Sequence, residues 1–335
     1  MSGTLARART PVTAALRGIQ HPVRDRLDMV VDEMSRIVTS DLPLIEDVSR
    51  HLLRARGKLF RPTLTLLASS VEERPQERAI GIAAAVELMH LATLVHDDSV
   101  DHSVLRRGLP TVNSLFSHQV SVIMGDFLYS RALTALVDGG DIAVLRILTR
   151  VSNELTIGEM RQLAAMDRLS FPEPEYYQLI RAKTATLLSA ACEVGALCGA
   201  AAHREVLALY GDRLGMAFQI ADDILDYVEK PAVTGKPSGL DLREHKVTLP
   251  LIAALRAMPA AHRGRVDALF AAEEPGDELV ADVVSIVLDA GGIEYARREG
   301  ERFAREAAAA LAGLPDTPAR AALLEAIDYV MARRS

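Results

Sequence analysis

The stretch Glu87-Leu-Met-His-Leu-Ala-Thr-Leu-Val-His-Asp-Asp-Ser-Val-Asp101 begins as an apolar helix and ends in three carboxylates. Asp97 and Asp101 are four residues apart, so on a helix they share one face. Asp98 is turned from Asp97 by about 100°. Like charges at this spacing weaken a helix, so the cluster points to a cation. The pattern recurs in Phe218-Gln-Ile-Ala-Asp-Asp-Ile-Leu-Asp226, where Asp222 and Asp226 share a face with Asp223 beside them. One acidic run is most simply solvated surface. Two copies of Asp-Asp-x-x-Asp, each closing an apolar helix, suit Mg²⁺, which takes one or two carboxylates together with water and substrate phosphate.

The rest of the chain supports an all-α fold. It has 335 residues, 49% apolar and 25% charged, with 4% aromatic and no tryptophan. Its wealth of alanine and leucine favours helices over sheets. A net charge of −7 argues against a general nucleic-acid binder. Cys192 and Cys198 match no zinc or redox spacing and read as small core residues in a reducing compartment, the cytoplasm. No signal peptide and no long uninterrupted apolar run is visible, so no membrane span is expected. Residues 1–20 read as a frayed leader and 21–335 as one domain. Apolar spacing predicts helices over 23–38, 43–55, 62–71, 79–101, 113–137, 141–165, 176–199, 204–228, 247–272, 277–290, 292–312 and 318–333. The Pro- and Gly-containing segment 229–241 is a loop. No βαβ alternation, Walker A, G-x-G-x-x-G, H-E-x-x-H or G-x-S-x-G motif occurs.

Basic residues punctuate this frame. Lys58 and Arg61 stand in Gly57-Lys-Leu-Phe-Arg-Pro62, at a helix start that favours anions. Arg106 and Arg107 follow the first acidic run in a loop, and arginine suits bidentate phosphate binding. Lys183 interrupts an apolar helix. Lys230, Lys236 and Lys246 lie in or just beyond the loop after the second acidic run, where a basic loop can cover an anionic ligand.

This combination resembles the trans-isoprenyl diphosphate synthases, or polyprenyl synthetases. The match runs from Gly57-Lys58-x-x-Arg61-Pro62 through Glu87-Leu-Met-His90, the first aspartate motif, Leu105-Arg-Arg-Gly108, Pro110-Thr-Val-Asn113, Gly125-Asp-Phe-Leu128, Lys183-Thr184, Phe218-Gln219, the second aspartate motif and Gly235-Lys236-Pro237 to Lys246-Val-Thr-Leu-Pro250. The resemblance implies a bundle of antiparallel helices around a deep central cavity, in a homodimer. It implies head-to-tail 1′-4 condensation of isopentenyl diphosphate with an allylic diphosphate, giving an all-trans product. Asp97, Asp101 and Asp222 would hold Mg²⁺, three ions with substrate bound, with Asp98, Asp223 and Asp226 completing the acidic shells. Arg106, Lys183, Lys236 and Lys246 would hold the allylic diphosphate, with Thr184 and Gln219 beside it. Lys58, Arg61, His90 and Arg107 would hold isopentenyl diphosphate. The departed diphosphate would serve as the base, and His96 reads as structural. Two departures stand out: Leu59 where many members carry a cation, and His245 where members often carry glycine.

Product length follows from geometry. The growing tail would pass Ala92 and Thr93, one turn before Asp97, and then Met89. Small side chains there predict a product longer than C20, with a lower floor drawn from Phe127, Tyr129 and Leu133. Release of such a product implies transient membrane contact. Two alternatives remain. A class I terpene cyclase uses the same ionisation but lacks a second diphosphate site such as Lys58, Arg61 and Arg107. A non-catalytic partner subunit would carry eroded aspartate motifs.

Overall fold

A computed structural model describes residues 14–55, 57–228 and 239–332. The described chain is α-helical apart from one two-stranded hairpin. Its contacts group into two compact units, neither of them a continuous segment. Unit 1 takes in Met1–Thr149, Ala190–Leu207 and Leu314–Glu325; unit 2 takes in Arg150–Ser189, Ala208–Gly313 and Ala326–Ser335.

In unit 1, α1 (Ala14–Gln20) lies within the stretch read as a leader. Leu16, Ile19 and Val23 form an apolar stripe, and all three are buried. The helices α2 (Arg24–Ile37), α3 (Pro43–Arg54) and α4 (Phe60–Ser69) follow. The centre of the unit is α5 (Arg78–Val100), apolar on all sides and packed against α2, α4 and α7 (His118–Asp138). By length and composition α5 and α7 could each cross a membrane, which a search for uninterrupted apolar runs does not find; in α5, 67% of the apolar window is buried inside the protein, as in a core helix. Between them lie β1 (Leu105–Arg106), β2 (Leu109–Pro110) and the short α6 (Val112–Leu115). The predicted helix 113–137 is therefore broken. Ser117 takes an extended conformation and its side chain accepts the Val120 N–H, which caps α7.

Unit 2 contains most of α8 (Ile142–Ala165), then α9 (Glu173–Ile180), a π-helical turn Arg181–Ala185, the start of α10 (Thr186–Ala196) and most of α11 (Arg204–Val228). Gly211 and Gly215 face this segment closely. A Cβ at Gly211 would lie 2.5 Å from the Leu188 carbonyl oxygen, and one at Gly215 would lie 2.4 Å from Ala185 Cα. Two glycines four apart thus bring the α11 backbone against residues 185–188, and they aim Gln219, one turn further on, at Thr184. The predicted helix 247–272 is two helices, Leu249–Ala257 and Ala260–Phe270. Met258 is extended (φ −68°, ψ 145°) because Pro259 follows it.

Candidate active site

Unit 1 carries the first aspartate motif at the end of α5. Asp97 is half-buried and Asp101 is exposed. Asp98 is buried, and both of its oxygens accept from Arg106 Nε at 2.8 Å. Asp98 is thus turned into the protein, and Arg106, assigned from the resemblance to an allylic diphosphate, is its ion-pair partner. The pair anchors the hairpin. Its turn residues, Arg107 (φ 53°) and Gly108 (φ 75°), both have positive φ, as a two-residue type I′ turn requires. A left-handed arginine costs free energy that functional sites tend to hold.

That strain presents Arg107 to the first basic motif. A Cβ on Gly57 would lie 2.2 Å from Arg107 Nη1, so glycine lets the guanidinium rest on the backbone. Arg61 and Arg107 also act on two residues of α5. Burial, with the charges of Arg61, Arg107 and Arg106, holds His90 well below its ordinary pKa and therefore neutral. Burial raises Glu87, against the pull of Arg61 and Arg107. Glu87 was missed as a site residue; its signal was its place three positions before His90, on the same helical face. Arg61 and Arg107 therefore lie near enough to His90 to act on its charge. Lys58, half-buried beside Gly57, offers its carbonyl to Gln20 Nε2 at 2.9 Å.

Other residues of unit 1 are placed as follows. His96 Nε2 lies 3.2 Å from the Val122 carbonyl and 3.3 Å from Asp126, and a Cβ on Gly125 would collide with its ring. It ties α5 to α7, consistent with a structural role. Met89 and Ala92 are buried, whereas Thr93, Phe127, Tyr129 and Leu133 are half-buried. Thr93 Oγ1 donates to the His90 carbonyl at 2.8 Å.

In unit 2 a cavity of about 190 Å³ is lined by Gln162, Lys183, Gln219, Asp223, Asp241 and Lys246, among others. Four of these, Lys183, Gln219, Asp223 and Lys246, were predicted, from three separate stretches of sequence. Thr184 Oγ1 donates to Gln219 Oε1 (2.7 Å), Gln219 Nε2 donates to Asp223 Oδ1 (2.8 Å), and Tyr176 Oη donates to Asp223 Oδ2 (2.6 Å). Burial pushes Asp223 up to about 7 against those bonds, and the charges of Asp222 and Asp226 add to the rise. The π turn carries Lys183, whose Nζ donates to Glu159 Oε2 (3.0 Å) and Gln162 Oε1 (2.8 Å). Asp226 accepts the N–H groups of Leu240 and Asp241, each at 3.0 Å, and so holds the start of helix Leu240–Arg243. Lys246 donates its N–H to the Asp241 carbonyl at 2.8 Å. Lys236 lies outside the described residues. Tyr176, Gln162 and Asp241 were missed because each acts through partners distant in sequence.

The donor set fits Mg²⁺. Asp241 is raised by burial and then by the charges of Asp223 and Asp226, so the acidic groups disfavour one another until a cation joins them. Among the described residues no three His, Cys, Asp or Glu side chains form a ready-made cage. Mg²⁺ needs none, since it takes few carboxylates and completes its shell with water and phosphate. Asp98, Asp223 and Asp226 each accept from protein donors.

Comparison with known proteins gives a consistent picture. The family model described as polyprenyl synthetase matches residues 42–287. The chain is 35% identical over 319 residues to heptaprenyl diphosphate synthase component 2 of Geobacillus stearothermophilus, covering 94% of this chain and 98% of the relative. It is 36% identical over 313 residues to a short chain isoprenyl diphosphate synthase of Methanothermobacter thermautotrophicus, covering 91% and 95%. Among solved structures, a decaprenyl diphosphate synthase from Rhodobacter capsulatus superposes with a TM-score of 0.89 at 37% identity, covering 94% of this chain and 98% of that one.

Proposed function

The chain belongs to the polyprenyl synthetase family and is a polyprenyl diphosphate synthase, a transferase with the all-α isoprenoid synthase fold; from that premise we propose that it condenses isopentenyl diphosphate with an allylic diphosphate, with Mg²⁺, to an all-trans product longer than C20. One observation carries the reading at residue level: Lys183, Gln219, Asp223 and Lys246 line one cavity.

The chemistry asks for charge neutralisation. Breaking the allylic C–O bond leaves a cation and a diphosphate, and cations fixed around the diphosphate lower that barrier without proton transfer. Bound Mg²⁺ would supply most of that charge, held by Asp97, Asp101 and Asp222. Lys183 and Lys246 bind the allylic diphosphate, with Lys236 assigned to the same task. Thr184 and Gln219 orient Asp223, which Tyr176 also fixes. Arg61 and Arg107, with Lys58, bind isopentenyl diphosphate, and neutral His90 offers it a hydrogen bond. The double bond attacks the allylic carbon, and the proton lost passes to the released diphosphate.

The relatives named above make both long and short chains, so identity does not choose between them. Small side chains at Ala92 and Thr93 support the longer product. The proposed setting is the cytoplasm, where the two buried thiols stay reduced, with brief membrane contact at product release. The proposed assembly is a homodimer.

Product analysis tests this. Purified chain, labelled isopentenyl diphosphate and C5 to C20 allylic primers, with Mg²⁺ or with chelator, should give a Mg²⁺-dependent ladder passing C20. Ala92→Phe and Thr93→Phe should shorten it. A wild-type ladder ending at C15 or C20 would overturn the length, and hydrocarbon formed from the primer alone would overturn the condensation. Silence would favour a multi-component enzyme, as one relative's name describes.

A further inference from the structure

The cavity of unit 2 has two stretches of wall that lie far apart in sequence. Ala165 and Met166 close α8 on one side; Lys246 and Val247 form part of the other. The residue after the first stretch is Asp167, and the residue before the second is His245. These two are joined twice. His245 Nδ1–H donates to Asp167 Oδ1, and the Asp167 N–H donates to the His245 carbonyl at 3.3 Å.

We propose that His245 is a positioning residue whose clasp on Asp167 sets the Lys246 side of this cavity for a diphosphate. The inference rests on the proposed assignment of that cavity to the allylic substrate.

The ring is placed for this and little else. It is 13% exposed and stacks on Phe270, with centroids 5.2 Å apart and planes 26° from parallel. Its other nitrogen, Nε2, is buried without a hydrogen-bond partner among the described residues. The ring therefore takes its orientation from Asp167 and Phe270. Both clasp residues also hold left-handed backbone, at φ 61° for Asp167 and φ 53° for His245. Such a conformation is uncommon outside glycine, persists where the surroundings demand it, and would be relieved by glycine. The consequence for the cavity is direct. Lys246 follows His245 in the chain, and its N–H donates to the carbonyl of Asp241, another lining residue. Loosening His245 therefore loosens the backbone of Lys246 and the bond that joins it to Asp241.

The test uses the full chain and its His245→Gly, Asp167→Gly and double variants. Glycine suits the positive φ at both positions, so the fold and the main-chain bond are kept while the side-chain bond of the clasp is lost. Calorimetry with inorganic pyrophosphate and Mg²⁺ reads the cavity without turnover, and steady-state kinetics read each substrate. Loss of one hydrogen bond's worth of positioning predicts about threefold to tenfold weaker pyrophosphate binding and a matching rise in the allylic KM. The KM for isopentenyl diphosphate stays at the wild-type value. The double variant is no worse than either single one, and His245→Asn, which tolerates positive φ and keeps an N–H donor, restores most of the binding. Pyrophosphate affinity unchanged in both single variants, even with a lowered Tm, would reduce the clasp to a structural contact and overturn the proposal. Effects that add fully in the double variant would overturn it as well, and so would a wild-type chain that binds no pyrophosphate. A wild-type chain that binds pyrophosphate but transfers no prenyl group, with both variants weakened, would sink the proposed reaction while the clasp stands.

Discussion

Tyr176 donates its hydroxyl to Asp223 at 2.6 Å with both side chains buried, although 47 positions separate them in sequence. With Gln219 on the other oxygen, Asp223 is held from both sides. The first motif repeats the logic with a different partner, since Asp98 is held by Arg106. In each Asp-Asp-x-x-Asp the second aspartate is thus held by protein donors.

Removing the tyrosine hydroxyl leaves a buried carboxyl short of a donor, which costs about 1–3 kcal/mol. Tyr176→Phe should therefore lower the urea midpoint by a corresponding amount, with the slope unchanged. A midpoint equal to wild type would show that this bond carries no net stability.

Two glycine variants should separate binding from folding. Gly57→Ala places a methyl against the Arg107 guanidinium, the movable end of a side chain. The fold should survive while the KM for isopentenyl diphosphate rises about tenfold or more, as for a lost charge-assisted hydrogen bond. Gly195→Ala meets the Thr65 carbonyl oxygen at 2.2 Å, and backbone cannot step aside. That variant should lose about 1–3 kcal/mol of stability. An unchanged isopentenyl diphosphate KM in Gly57→Ala would remove Arg107 from that site.

His90 sets an acid sensitivity. Its folded pKa lies well below 6.5, so below pH 6.5 the unfolded chain takes up a proton that the folded chain refuses. Stability from this source is full above pH 6.5 and falls as the pH drops toward the folded value. Urea midpoints of wild type and His90→Gln, compared between pH 7.5 and 5.5, should converge as the wild type weakens. A pH-independent difference between the two would show His90 protonating freely in the fold.

Much of the site was readable because its signals are local. Asp97 with Asp101, and Asp222 with Asp226, are one helical turn apart, and the basic motifs stand at helix starts and turns. Where the reading of helices failed, a local signal had been passed over. Ser117 caps α7 in the middle of a predicted helix, and Pro259 forces Met258 out of another. Leu16 and Ile19 belong to an apolar stripe inside the presumed leader. In the sequence Lys183 is a cation in an apolar run, but its Glu159 and Gln162 partners come from a helix more than 20 positions away.

By itself the sequence determined the helical class, the two carboxylate pairs, the basic residues and, through them, the family. Each of these follows from periodicity or spacing within a few turns of chain. The tertiary structure decided the direction in which each carboxylate and cation is spent. Asp98 goes to Arg106, Asp223 to Tyr176 and Gln219, Asp226 to a backbone turn, and His245 to Asp167. A buried charge or polar group must take whatever partner the packing brings within 3 Å, and contacts between residues distant in sequence are set by how helices pack, which no local pattern records.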